Sequence, residues 1–319
     1  MVNKTDLRLI AKLEENGRAS YIELAQALGI NPSTVAKRVQ SLLNEDIVSI
    51  KAIPNPYKMG FTANAIIAIN MCMTRIDELC DRLKNNLNIN QLVTAFGRFN
   101  LIIGVHYPNW DGVLNFISTE LSEIADIYEI QTFFVKEIKK RYYGFESENA
   151  NGQTPVRLDD TDLKLVRELA ENGRYSGIYL SDKLGISLSA ASKRLATLLR
   201  EDVVKIRALT NPNKMGFHSN AYLFIRAERN RLKEICNRLL PHNEVSTLLV
   251  LSNGYDIYSS IIARTPQILY EFVKNKVAPI RGITGMETLI RGEMIKRYYG
   301  SFHLDDSNLA MISQFEPLP

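Results

Sequence analysis

The chain repeats itself at a constant offset of 156 residues, so any fold proposed for it has to be built twice. Asn16-Gly17-Arg18 returns as Asn172-Gly173-Arg174, and Lys37-Arg38 as Lys193-Arg194. Asn55-Pro56 with Lys58-Met59-Gly60-Phe61 returns as Asn211-Pro212 with Lys214-Met215-Gly216-Phe217, and Lys140-Arg141-Tyr142-Tyr143-Gly144 as Lys296-Arg297-Tyr298-Tyr299-Gly300. A repeat of this length is a duplicated set of domains rather than a solenoid of short units. The joint falls at 145–157, a polar stretch with Gly and Pro and no helical or strand period, which reads as a linker. The segment 301–319 has no counterpart and is assigned no function.

Within 319 residues, 45% hydrophobic and 23% charged side chains describe an ordered globular protein. A net charge of +4 does not by itself select nucleic acid as a partner, so the distribution of charge has to decide. The three cysteines, Cys72, Cys80 and Cys236, form no C-x-x-C pair, which argues against a disulfide framework, a zinc site and a dithiol centre. No metal or cofactor is expected. The first residues interrupt their apolar positions with charge, unlike a signal peptide, and no apolar run is long enough for a bilayer. A cytoplasmic protein with no membrane partner is expected.

Each copy opens with three helices. Leu9, Ile10 and Leu13 lie at helical spacing over 6–16, and Asn16-Gly17 stops that helix. Ser20 and Glu23 form a capping box for a short second helix closed by Gly29. Copy two has Ser176-Gly177-Ile178-Tyr179 there and should start less firmly. The third helix begins at Asn31-Pro32, a cap followed by a proline at the first helical position. Its apolar stripe is Val35, Val39, Leu42 and Leu43, matched by Ala191, Leu195, Leu198 and Leu199. Facing outward are Ser33, Thr34, Lys37 and Arg38, and in copy two Ser189, Ser192, Lys193 and Arg194. A lone Lys-Arg pair is ordinarily a solvated face. Here a short helix and a Gly-Ile-Asn turn precede it, and the layout recurs, which makes a helix-turn-helix with its reading helix aimed at double-stranded DNA.

Residues 47–61 read as a hairpin or wing with an Asn-Pro turn. A strand at 64–71 follows, then a helix carrying Ile76, Leu79, Cys80 and Leu83, whose cysteine (like Cys236) belongs to the core. Strands at 91–96 and 99–107, a helix at 110–121 and a strand at 127–136 complete a β-α-β-β-α-β order, the ferredoxin-like arrangement. The middle strands meet at Gly97-Arg98-Phe99-Asn100, matched by Asn253-Gly254-Tyr255-Asp256, by themselves an ordinary tight connection. The fold class is therefore α+β: a winged helix-turn-helix followed by a ferredoxin-like domain, the pair repeated twice.

With Asp6…Asn16-Gly17-Arg18, Leu24-Ala25…Leu28-Gly29-Ile30, Ser33…Arg38-Val39…Leu42, Asn55…Met59-Gly60 and Gly97-x-Phe99-Asn100, the chain resembles the Lrp/AsnC (feast/famine) transcriptional regulators over 6–144 and again over 162–300. The resemblance implies domains at 1–60 and 158–216 that bind DNA, and RAM effector domains at 61–144 and 217–300 that pair through their sheets into homo-oligomers. It also implies a small-molecule effector, commonly an amino acid, at Gly97, Arg98, Phe99 and Asn100 and at Gly254, Tyr255 and Asp256. Copy one departs from the family in having Asn100 where Asp is usual. The duplication itself is the larger departure. It leads to the expectation that the two sensor halves of one chain pair with each other, with pairing of sheets across different chains as the open alternative, and that two differing reading helices prefer an asymmetric site. The alternative resemblance is to Lrp-like tetrapyrrole (sirohaem) decarboxylases of haem biosynthesis, which would nominate His106 with Tyr107, or His218; neither histidine has a counterpart in the other copy, where Ile262 and Thr62 stand.

Overall fold

The computed structural model describes residues 2–86, 88–122, 124, 126–141 and 154–297. Most of the expected linker and the whole of the segment 301–319 lie outside them, as do the Tyr-Tyr-Gly ends of both repeats. The chain forms two compact units, one built from Met1–Asn55 and Val156–Gly216, the other from Pro56–Pro155 and Phe217–Tyr298. Each unit takes one half of each copy.

In the first unit α1 spans Lys4–Glu15, α2 Tyr21–Leu28 and α3 Pro32–Asn44, followed by β1 at Val48–Pro54. The first helix starts two residues earlier than expected because Asn3 and Asp6 form a reciprocal capping box. Ser20 and Glu23 do the same for α2, and Gly29 closes it at φ 68°. Copy two repeats these elements as α6 (Asp160–Glu171), α7 (Gly177–Leu184), α8 (Leu188–Arg200) and β6 (Val204–Thr210). Ser176 alone caps α7, yet the helix keeps the length of α2. The apolar stripes hold at Val35, Val39, Leu42, Ala191 and Leu198. Leu43 and Leu195 are only half-buried, and Leu199 is exposed.

The expected hairpin at 47–61 does not fold back on itself. β1 instead pairs antiparallel with β6, from Val48 opposite Thr210 to Pro54 opposite Val204. A reciprocal clasp locks this ladder. The Gly17 amide donates to the Ile206 carbonyl at 2.8 Å and the Gly173 amide to the Ile50 carbonyl at 2.7 Å. Arg18 donates to the carbonyls of Gly173 and Tyr175 at 2.6 and 3.2 Å. Arg174 reciprocates, donating to Gly17 and Ala19 at 2.9 and 2.7 Å. Burial, and then the charge of Arg174, lower the pKa of Arg18 from its ordinary value. The carbonyls offset that cost, since hydrogen bonds from a buried charged group are among the stronger ones in proteins. The repeated Asn-Gly-Arg motif is thus the joint between the copies.

The second unit is a closed barrel of eight strands. Copy one supplies β2 (Ala63–Met71), α4 (Ile76–Leu83), β3 (Ile89–Phe96), β4 (Leu101–Tyr107), α5 (Trp110–Asn115) and β5 (Ile127–Arg141). Copy two supplies β7 (Ser219–Ala227), α9 (Leu232–Leu239), β8 (Val245–Ser252), β9 (Ile257–Ala263), α10 (Pro266–Phe272) and β10 (Ile283–Arg297). Each half has the ferredoxin-like order, β3-β4-β2-β5 and β8-β9-β7-β10, and β5 against β8 with β10 against β3 closes the ring. Both last strands are 15 residues long. β5 runs first along β2 of its own half and then, from Phe134, along β8 of the other. That second partner is why it outruns the expected end at 136.

The outer faces of the sheets pack on the helices. Leu79, Cys80 and Leu83 cover one half, and Ile235, Cys236 and Leu239 the other. Burial pushes both thiols up to about 11, as befits core residues. The inner faces meet in a lumen filled by Phe99, Phe133, Phe224, Tyr255, Tyr258 and aliphatic neighbours. The repeated lysine of the last strand also crosses between halves. Lys140 donates to the carbonyls of Leu240 and His242 just past α9, and Lys296 to that of Asn86 just past α4. A cation at the carbonyl end of a helix is favourably placed.

A Cβ at Gly17 would lie 2.9 Å from the Arg207 nitrogen and from the Ile50 side chain, and one at Gly173 would lie 2.6 Å from the Ile206 side chain. Gly17→Ala should therefore destabilise the first unit by roughly 2 kcal/mol through overpacking. Urea unfolding will show it, with faster amide exchange along β1 and β6 than along the barrel strands.

Candidate nucleic-acid interface and effector turns

On α3, Ser33, Thr34 and Lys37 are exposed, and on α8 so are Ser189, Ser192 and Lys193. Two of the hydroxyls are partly engaged at the caps: Ser33 Oγ donates to Asn31 Oδ1 at 2.8 Å, and Ser189 Oγ lies 3.1 Å from Ser187 Oγ. The two arginines behave differently from the lysines beside them. Arg38 Nη1 lies 3.0 Å from Asp6 Oδ1. Arg194 Nη1 lies 2.7 Å from Asp162 Oδ1 and 2.8 Å from Asp159 Oδ2. The hydrogen bonds that Arg194 donates to Asp162 and then to Asp159 raise its pKa from the ordinary value.

The acids are the capping residues of α1 and α6, so one side chain both starts the entry helix and ties the reading helix to it. No acid lies on α3 itself, and the carboxylates beside its face come from another helix. A signal was present: Asp6 recurs as Asp162 at the repeat offset, as Arg38 recurs as Arg194. The helix starts also differ. Pro32 opens α3, whereas Leu188 opens α8 with its side chain 48% exposed, its tip 2.8 Å from where a Cβ on Gly177 would sit. The glycine that looked like a weak helix start makes room for Leu188.

The two turns of the barrel unit are pinned from inside. Phe99 is fully buried and Tyr255 nearly so, both within the lumen cluster. Asn100 accepts from the Met71 amide at 3.1 Å and donates to the Met71 carbonyl at 2.6 Å. Asp256 occupies the same place and accepts from the Ala227 amide at 2.8 Å. A carboxylate can only accept, so the carboxamide at Asn100 adds a bond that Asp256 cannot make. Gly97 sits at φ 146°, and a Cβ there would come 2.5 Å from the Leu289 side chain of the other half. Asn253 and Gly254 take positive φ values of 81° and 87°. Arg98 is exposed, 2.6 Å from Glu129 and with its guanidinium 5.0 Å from the Phe99 ring centroid. Of the seven turn residues, Phe99, Asn100, Tyr255 and Asp256 are committed to packing or strand ends, while Gly97, Arg98 and Gly254 are exposed.

His106 and Tyr107 are neighbours on β4 and so face opposite sides of the sheet, the tyrosine toward the helices and the histidine into the lumen. His218 is exposed. The structure brings no pair of these residues together.

The architecture is that of a duplicated winged helix-turn-helix with duplicated ferredoxin-like domains. A winged helix-turn-helix DNA-binding family model matches twice, at residues 2–49 and 158–205. An HTH-type transcriptional regulator of Pyrococcus abyssi, itself uncharacterised, is 34% identical over 136 residues, 42% of this chain and 86% of that protein. One from Pyrococcus furiosus is 31% identical over 134 residues, 42% of this chain and 90% of the relative. The solved siroheme decarboxylase NirDL has a similar fold, with a TM-score of 0.69 at 14% identity, over 98% of both chains. The chain belongs to the Lrp/AsnC family of HTH-type transcriptional regulators and carries the family unit in tandem.

The Arg–Asp pairs separate two roles on one helix face. Arg38→Ala or Arg194→Ala should lower the melting temperature of the chain by a few degrees, the effect of removing one part-buried ion pair and its packing. Lys37→Ala and Lys193→Ala should leave the melt unchanged. Differential scanning calorimetry of the four variants will separate them.

Proposed function

We propose that the chain is a sequence-specific DNA-binding transcriptional regulator whose DNA-reading element is made within a single chain. The observation that carries this reading is the β1–β6 ladder with its reciprocal clasp, which fuses two helix-turn-helix halves into one unit and fixes α3 and α8 relative to each other. Ser33, Thr34 and Lys37 on one helix and Ser189, Ser192 and Lys193 on the other are the side chains that meet phosphates and base edges. Arg38 and Arg194 position those helices and meet the backbone secondarily. The two helices differ at Pro32 and Leu188 and at Thr34 and Ala190, so the preferred site is asymmetric.

A small-molecule effector, an amino acid in keeping with the family, acts at Gly97, Arg98 and the Gly254 turn. It controls affinity only in so far as it binds the DNA-competent form better than the other. The barrel consumes its sheet edges within the chain, so homo-oligomers of this protein form through outer surfaces rather than through those edges.

The names of the relatives support regulation. The likeness to a siroheme decarboxylase supports a second reading, in which the lumen-facing His106 serves catalysis. The missing partner residue counts against it, and incubation with sirohaem should release no carbon dioxide above a buffer control.

Selection from random duplexes should return one non-palindromic consensus bound by a single chain. Replacing Lys37 and Lys193 together with Ala should reduce the slope of log K against log salt by about 2, near 0.9 for each phosphate no longer neutralised. An unchanged slope in fluorescence anisotropy would remove these helices from the interface.

A further inference from the structure

The lumen of the barrel is not uniform along its length. One end is aromatic, closed by Phe99 and Tyr255 from the two turns. The other brings polar side chains beside Tyr57, Tyr222 and Tyr258 of the same cluster, and it holds two buried carboxamides, each with one atom left without a partner among the described residues.

Asn64 on β2 and Asn220 on β7 are 1% and 4% exposed. Strand alternation aims both into the lumen. Ala63 and Ala65 flank Asn64 and face the helices of copy one, and Ala221, next to Asn220, faces those of copy two. In the ring of eight, β2 and β7 are four steps apart in either direction. Every step is antiparallel, so the two strands run the same way and their equivalent residues lie at the same end of the barrel, facing each other across it. Asn64 Nδ2 and Asn220 Oδ1 are buried without a hydrogen-bond partner among the described residues. A buried amide group left without a hydrogen bond is destabilising. Two of them at one end of a lumen, one a donor and one an acceptor, call for an occupant.

The neighbours define its chemistry. His106 lies opposite Asn64 in the β2–β4 register and its Nδ1 contacts the Asn90 side chain. Asn90 can lie there because Gly104 has no Cβ, which would fall 2.7 Å from Asn90 Oδ1. Gln91 reaches across to the Tyr258 hydroxyl of the other half at 3.4 Å. Beyond the bulge after Ile138, Lys140 turns out to the α9 end, so Arg141 turns in. Burial first, and then the charge of Arg141, hold the His106 imidazole well below its usual pKa. None of these side chains is acidic.

We propose that the polar end of the barrel lumen binds one small organic acid per chain, its carboxylate toward Arg141 and its uncharged oxygen functions between Asn64 and Asn220. The class is a 2-oxo or 2-hydroxy acid rather than an amino acid. An ammonium group would be buried here with no carboxylate among the described side chains named above to pair with, which is strongly disfavoured. The site concerns the barrel unit alone, is separate from the two turns, and stands whether or not the chain binds DNA.

The test is calorimetric titration of the full chain, without DNA, using pyruvate, lactate and 2-oxoglutarate, with alanine and glutamate as ammonium-bearing counterparts. One of the three acids should bind once per chain and at least about tenfold more tightly than its amino counterpart, the least that an unpaired buried ammonium should cost. Asn64→Leu with Asn220→Leu should abolish that binding. Arg141→Gln should do the same, which keeps the test decisive if the double variant does not fold, whereas Arg98→Ala at the turn should leave it intact. No binding by any of the acids overturns the proposal, and so does binding that survives the Asn64 and Asn220 replacements. If the double variant melts higher while the parent chain binds none of the acids, the amides hold only water and the assignment is wrong. Equal binding of the amino and oxo acids overturns the class of ligand.

Discussion

A strand left without a partner in its own copy needs one elsewhere, and among the described residues β1, β5 and β10 each find it in the other copy. The edge of β1 is filled by β6, the far half of β5 by β8, and the far half of β10 by β3. Open edges are otherwise a route to uncontrolled association. Fusing the copies makes this pairing intramolecular, so it no longer depends on protein concentration. Neither copy is a self-sufficient body, and the two compact units are the two sets of like halves rather than the two repeats.

Fusion also frees the copies to diverge at positions where a homodimer would show every change twice. His106 faces the lumen from one side only, because copy two has Ile262 there. Gln91 meets Tyr258 across the barrel, a pairing whose reciprocal would need a tyrosine at Ile102 and a glutamine at Thr247. Asn100 and Asp256 hold equivalent strand ends with different numbers of bonds. By contrast, the residues that join the copies are retained in both: Gly17 with Gly173, Arg18 with Arg174, and Lys140 with Lys296. The joint is kept in duplicate, whereas in the lumen Asn64 recurs as Asn220 but His106 and Gln91 do not recur.

Much of this was legible in advance because it is local. Helix starts follow from Asn31-Pro32 and Ser20-x-x-Glu23, the strand at 64–71 from its alternation, and the core role of Cys80 from helical spacing. What escaped depended on partners far away in sequence. The stretch 47–61 looks like a hairpin because an Asn-Pro turn follows a strand, yet the register of β1 is set by residues 204–210. The strand at 127–136 was cut short because its second half alternates against a partner in the other copy. Arg38 and Arg194 were grouped with the lysines because an acid 32 residues away on another helix leaves no mark on the helix face itself. At the turns, Phe99 and Tyr255 have the composition of a ligand contact, and only the closed barrel shows them committed to its interior.

The acids behind the reading helices bear directly on how a polyanion would be shared between them. The cap of α1 is the neutral Asn3, whereas that of α6 is Asp159. Arg38 is therefore balanced by one carboxylate and Arg194 by two. At exposed positions such pairs add little stability, but they set the local charge that an approaching phosphate meets. At its first turns the face of α8 thus has one carboxylate more behind it than that of α3, while Arg200 in its last turn stands where α3 has Asn44, and such differences are screened within roughly a Debye length of 8 Å at physiological salt. On the proposed reading, the copy-one helix supplies more of the salt-dependent attraction, and the copy-two helix, with Leu188 exposed at its first turn, depends more on contacts to the bases. An asymmetric operator then follows from the charge distribution as well as from the differing side chains.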